Sequence, residues 1–202
     1  MPFGNFKTLQ EVALAYQVRV VLGSFLRAQP HPVNPHLEEE LRFNREKIAV
    51  RISEAAIDAF LIAPILRDVW KSYTDALMLW SHAPLDAGDS LQGVPDYTFT
   101  RCSPLGMVQD KPYLLVVEAK KDDFDAGWGQ CLAAMLAAQQ LNRPDEWPLY
   151  GCVTNGVLWS FGKLEGQTFT QELTDYALRD LPGLIGALHA IFDLAKQHAL
   201  AA

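Results

Sequence analysis

The chain has 202 residues, half of them hydrophobic, which is enough for one buried core and fits a single folding unit. With 24 acidic against 17 basic residues the net charge is -7, so long-range electrostatics do not draw the whole molecule to a phosphate backbone. That argues against a large duplex-wrapping surface and leaves room for a local basic groove.

Thr8-Leu9-Gln10-Glu11 has the form of a capping box, and Leu9, Val12, Ala13, Tyr16 and Val20 follow at helical spacing, which predicts an amphipathic helix over about 8–27. The run Gln29-Pro30-His31-Pro32-Val33-Asn34-Pro35 breaks it. Asn34-Pro35, with Glu38, Glu39 and Glu40 close behind, predicts a new helix start with acids near its positive end. From Arg51 to Val69 the pattern is helical again, with a kink or restart expected at Pro64. Glu54 stands on that otherwise apolar segment, where a carboxylate must be exposed, paired or bound to a cation.

Leu77 to His82 reads as a first strand, with His82 a surface residue at its end and a turn holding Asp86, Gly88 and Asp89 after it. Val94 to Arg101 is predicted as a second strand and Tyr113 to Lys120 as a third, the latter central and buried on both faces. Trp128, Cys131, Leu132, Met135 and Leu136 repeat at helical spacing from about Asp125 to Leu141, a stripe suited to covering one face of a sheet. After a loop over 142–148, Leu149 to Thr154 and Val157 to Gly162 are expected as a tight type I′ hairpin about Asn155-Gly156. Thr168 to Leu173 follows as a short edge strand, and Leu184 to Ala195 forms a terminal helix. The three cysteines, Cys102, Cys131 and Cys152, are widely spaced and lack paired ligand spacing, so reduced and mostly buried thiols are expected. No segment has the layout of a secretory signal, and no apolar run approaches the roughly 18 residues that span a bilayer, so the expectation is a cytoplasmic protein without membrane contact.

The chemistry concentrates between Gly93 and Gln130. Residues two apart in a strand share a face, so Glu118 and Lys120 project together, on the side of Val116 and Leu114. If the second and third strands pair antiparallel, Asp96 lies beside Glu118, and two carboxylates come within reach of one divalent cation. Mg²⁺ takes one or two protein carboxylates and leaves positions for water and substrate phosphate. Such a cation activates water and offsets charge on a phosphodiester, with Lys120 as a positioned positive charge and Gln130 as a hydrogen-bonding partner of water or substrate. Glu54 is a further carboxylate for the site if its helix packs over the strand ends. The same fragments also occur as strand-end ion pairs and turns.

Pro95-Asp96 and Glu118-Ala119-Lys120 resemble the two halves of the PD-(D/E)XK nuclease signature. More narrowly, Ser53-Glu54 leading to Leu61-Ile62-Ala63-Pro64-Ile65-Leu66, Val117 to Lys121, and Thr154-Asn155-Gly156 with Trp159 resemble the N-terminal nuclease domain of type I restriction enzyme R subunits. The resemblance implies an α/β fold with a restriction-endonuclease-like mixed central sheet flanked by helices, plus extra N- and C-terminal helices. It implies Mg²⁺ (or Mn²⁺) as cofactor, DNA as substrate, Asp96 and Glu118 as metal ligands, Lys120 as the catalytic lysine, and an assisting Glu54. On this view 1–202 is a single domain, with a helical extension at 1–50, a nuclease-like core at 51–162, and an edge strand and helix at 163–202.

Two departures bear on function. Related enzymes commonly carry Tyr four residues after the Gln, and here Gln130 is followed by Ala134; no helicase motor follows the core. A catalytically silent nuclease-fold binding or assembly module is therefore the alternative, and a homodimer through the terminal helices is a third option. Arg42, Arg45, Lys47 and Arg51 cluster in one helical stretch, either as a solvated face or as a phosphate-tracking patch.

Overall fold

The computed structural model describes residues 2–88, 91–142 and 147–201. Asp89, expected in a turn, lies outside them, as does most of the 142–148 loop. A 3-10 turn at Phe3–Asn5 precedes α1 (Leu9–Tyr16), β1 (Arg19–Leu22), α2 (Pro35–Lys47), α3 (Glu54–Ile57) and α4 (Ala63–Trp70). Then come β2 (Leu77–Ser81), β3 (Leu85–Asp86), β4 (Gln92–Gly93), β5 (Tyr97–Arg101), β6 (Tyr113–Ala119) and α5 (Phe124–Leu141). The chain closes with β7 (Leu149–Thr154), β8 (Leu158–Glu165), β9 (Thr168–Gln171), β10 (Tyr176–Ala177) and α6 (Leu181–Ala201).

The eight-stranded sheet has the order β1-β9-β8-β7-β6-β5-β2, with β10 pairing β8. β6 pairs β5 antiparallel and β7 parallel, and α5 provides the crossover that a parallel neighbour requires. All seven residues of β6 are buried, as expected for a strand covered on both faces. On one face Ile62, Ile65 and Phe192 of the α4 and α6 side pack over Phe99 and Trp159. On the other, Val12 of α1 and Leu132 and Met135 of α5 pack with Phe169. The α/β class and the flanking terminal helices are as the sequence implied. No helix among the described residues is long and apolar enough to cross a membrane.

Four local expectations are corrected. The helix expected over 8–27 stops at Tyr16: Gln17 takes a left-handed conformation (φ 56) and caps it. The β-branched Val20 and Val21 then continue as β1, because branched side chains favour the extended chain. β1 lies parallel to β9, so β9 is an inner strand and not the edge. The restart expected at Pro64 is found: a π-helical turn, Asp58–Ile62, closes the preceding segment, and the Ala63 N–H reaches the Asp58 carbonyl. Pro64 then sits in the first turn of α4, where its missing N–H is tolerated. The β7–β8 connection is longer than a two-residue type I′ turn, since Thr154 pairs Trp159 and only Gly156 has positive φ (76°). Asn155 Oδ1 instead accepts the Val157 and Leu158 N–H groups at 3.0 and 2.8 Å. Finally, a register shift at Phe99/Thr100 turns Leu114 to the same cluster as Leu115, away from the Glu118 side. A bulge of this kind resets the alternation, which then runs regularly from Leu115 to Ala119.

The three cysteines are free; Cys131 and Cys152 are buried and Cys102 is partly exposed. Burial drives both inner thiols well above the usual range, which fits inert core residues.

Candidate functional site

The register Tyr97↔Val117 brings Asp96, just before β5, opposite Glu118, near the end of β6. The Ala119 N–H donates to Asp96 Oδ2 at 2.7 Å, so the acid is fixed to the strand that carries its neighbour. Lys120 continues β6 by donating its backbone N–H to the Thr154 carbonyl at 2.8 Å. Its ammonium donates to Glu118 Oε1 at 2.9 Å and stands 3.6 Å from Glu54 Oε1. Room for the lysine stem comes from α5: a Cβ added at Gly127 would lie 3.0 Å from Lys120 Cγ and 2.6 Å from Val153 Cγ1.

Glu54 opens α3, where the Ser53 hydroxyl accepts the Ala56 N–H at 3.1 Å. Its side chain is half exposed yet paired to Lys120, so exposure and membership of the site coexist. Gln130 is half-buried on α5, with its amide nitrogen 3.8 Å from where a Cβ on Gly4 would stand. Among the described residues no hydrogen bond joins it to Asp96, Glu118 or Lys120. The structure thus brings Asp96, Glu118, Lys120 and Glu54 together and leaves Gln130 facing the N-terminal turn.

Three further residues complete the cluster. Tyr97 donates its hydroxyl to Asp58 Oδ1 at 2.7 Å. His82, read from sequence as a surface residue, is indeed exposed, but its Nε2 stands 3.5 Å from Asp96 Oδ1 and its N–H donates to the Asp96 carbonyl at 2.9 Å. Asp58 was legible in principle, being four residues after Glu54 and so on the same helical side. His82 was not, because only the β2–β5 pairing carries it to Asp96.

The electrostatics are those of too many buried carboxylates for one lysine. Burial pushes Glu118 up to about 7, with the Asp96 charge adding to the effect and Lys120 opposing it. Burial also raises Asp96 against the Ala119 hydrogen bond and the Lys120 and His82 charges. Asp58 is raised by burial despite its bond from Tyr97. For Lys120 burial acts downward, but Glu118, Glu54 and Asp96 outweigh it and raise the ammonium. Two acids from adjacent strands, one 7% exposed, are therefore held close at an energetic cost that a cation would relieve.

No family model matches the chain, and no curated protein matches it.

The donor set fits a hard cation. Among the described residues no three His, Cys, Asp or Glu side chains are grouped to hold a metal ion, but Mg²⁺ requires only one or two carboxylates and fills its shell with water and substrate oxygens. Asp96 and Glu118 meet that requirement; Glu118 Oε2 accepts no hydrogen bond among the described residues, while Glu54 is engaged with Lys120.

Proposed function

We propose that the chain is a metal-dependent nuclease of the PD-(D/E)XK type that hydrolyses DNA phosphodiesters in the cytoplasm, with Asp96 and Glu118 holding Mg²⁺ or Mn²⁺. The observation that carries this reading is the convergence of two raised carboxylates from paired strands with an ammonium 2.9 Å from one of them. A bound divalent cation supplies Lewis acidity at the scissile phosphate and makes water nucleophilic at neutral pH. Lys120 stabilises negative charge developing on the phosphate, and its raised pKa keeps it protonated for that work. Glu54 holds the lysine from the outer side, and the Ala119 N–H keeps Asp96 aimed at the site.

Ala134, standing where related enzymes commonly carry Tyr, favours one competing reading, a nuclease-fold module that binds or assembles without cutting. The two separate on incubating the purified chain with supercoiled, linear and single-stranded DNA in Mg²⁺ or Mn²⁺. Cleavage is expected, with Lys120→Ala and Asp96→Asn each reducing it by at least about 100-fold. DNA left uncut by the native chain, or cutting that survives Lys120→Ala, overturns the nuclease reading.

A further inference from the structure

Three cavities run in series from the acidic cluster. The nearest is lined by Arg51, Ile57, Leu61, Lys121, Asn155 and Val157, and by one acid, Asp122. None of the site's acids lines it, but two of its lining residues border the site in the chain: Lys121 follows Lys120, and Ile57 lies one helical turn from Glu54. A second cavity, along the segment 45–52, shares Arg51 with the first and ends at Arg45. The third shares Arg45 and adds Arg42 from α2 and Arg179 from the turn before α6, facing Glu38 and Glu46. At about 190 Å³ the first is below the roughly 300–1,000 Å³ of sites that engulf a whole small ligand, so it suits one segment of a longer chain.

Charge follows the same line. Arg42, Arg45, Arg51, Lys121 and Arg179 are all exposed, and among the described residues none takes part in an ion pair or a side-chain hydrogen bond. Arg67, Lys71, Arg101, Lys163 and Lys196, elsewhere, are each paired with a carboxylate. Among the described residues Arg19, Arg27, Lys47 and Lys111 are also unpaired but line none of the three cavities. Asn155 adds a directional group: its Oδ1 is occupied by the Val157 and Leu158 N–H groups, which leaves its amide N–H free to donate. Acidic residues in the lining number three, Glu38, Glu46 and Asp122, against five cations.

We propose that this series of cavities is a binding track for the sugar-phosphate backbone of a DNA strand. The strand leads from the Lys120 site past Lys121, Arg51 and Asn155 to Arg45, and on to Arg42 and Arg179. The inference rests on the nuclease reading for its substrate class but not for its test. Backbone contacts release counterions, so each lost contact lowers the steepness of the salt dependence by about one.

The full chain is titrated by fluorescence anisotropy against labelled single-stranded and duplex oligonucleotides of about 20 nucleotides, in EDTA, over about 50–200 mM salt. Arg45→Ala, Arg51→Ala and Lys121→Ala are each expected to weaken binding about 3- to 10-fold and reduce the salt slope by about one. The double reversal Arg45→Glu/Arg51→Glu is expected to remove it, and Lys163→Ala and Lys196→Ala to leave it unchanged. Melting temperatures equal to that of the native chain verify folding. A folded double reversal that binds with native affinity and salt slope overturns the track. Because EDTA prevents cutting, track-dependent binding without cleavage in Mg²⁺ overturns the nuclease reading alone. Cleavage with binding indifferent to these residues overturns the track alone.

Discussion

Glu118 is placed where ionisation is costly, on a fully buried strand beside Asp96, with only Lys120 to offset it. A carboxyl whose folded-state value rises from 4.5 to about 7 binds its proton more tightly in the folded than in the unfolded chain. Its stabilising contribution is then complete below about pH 4.5 and is lost as pH rises towards 7, the reverse of a salt-bridged acid. The ionised group costs the folded state roughly 3 kcal/mol at most. Glu118→Gln keeps an acceptor for Lys120 and removes the titration. Denaturant unfolding in EDTA should find the variant of similar stability near pH 4.5 and more stable by about 1–3 kcal/mol near pH 8. Parallel pH profiles for the two proteins would show that Glu118 does not carry the strain. A residue kept at such a cost is better explained by what it binds than by what it packs against.

At the scale of elements, the site depends on how closely α5 approaches the ends of β6 and β7. Gly127 makes that approach possible, because any side chain there meets the buried Val153 and the stem of Lys120. Gly127→Ala gains helix propensity of up to about 1 kcal/mol. The clash with Val153 outweighs it, giving a net loss of about 1–2 kcal/mol by thermal unfolding. Lys120 is displaced as well, so DNA cleavage should fall further than stability does; an unchanged or raised melting temperature would refute the packing argument. The same elements show what a sequence discloses. Thr8 with Glu11, Asn34 before Pro35, and the apolar run of β6 act through near neighbours, and each appears where expected. Asp96 and Glu118 were legible because antiparallel register follows from two adjacent strands in sequence. β1 was not, since its extended conformation is stabilised by β9, about 150 residues away in the chain. β3 and β4, two residues each, are too short to show a period, and His82 reaches Asp96 only through the pairing of β2 with β5.

For the whole molecule, the net charge of -7 and the crowded carboxylates point the same way, towards a fold that gains stability from a cation. A ligand that binds only the folded state at 100 times its Kd stabilises it by about 2.7 kcal/mol. For a chain of this size that raises the melting temperature by roughly 5–10 °C. Binding requires Glu118 to be ionised, so the gain should be large near pH 8, where its proton is already lost. Near pH 5.5, where the folded state holds that proton, the metal must displace it and the gain shrinks. Scanning calorimetry with and without Mn²⁺ or Mg²⁺ at the two pH values tests this without any substrate. The double variant Asp96→Asn/Glu118→Gln should lose the metal-dependent rise while keeping, or exceeding, the native melting temperature in EDTA. An equal rise in both proteins would place the cation elsewhere on the acidic surface. A rise confined to the native chain and growing with pH would tie the strain at Glu118, the register of β5 on β6 and the demand for a divalent cation to one cause.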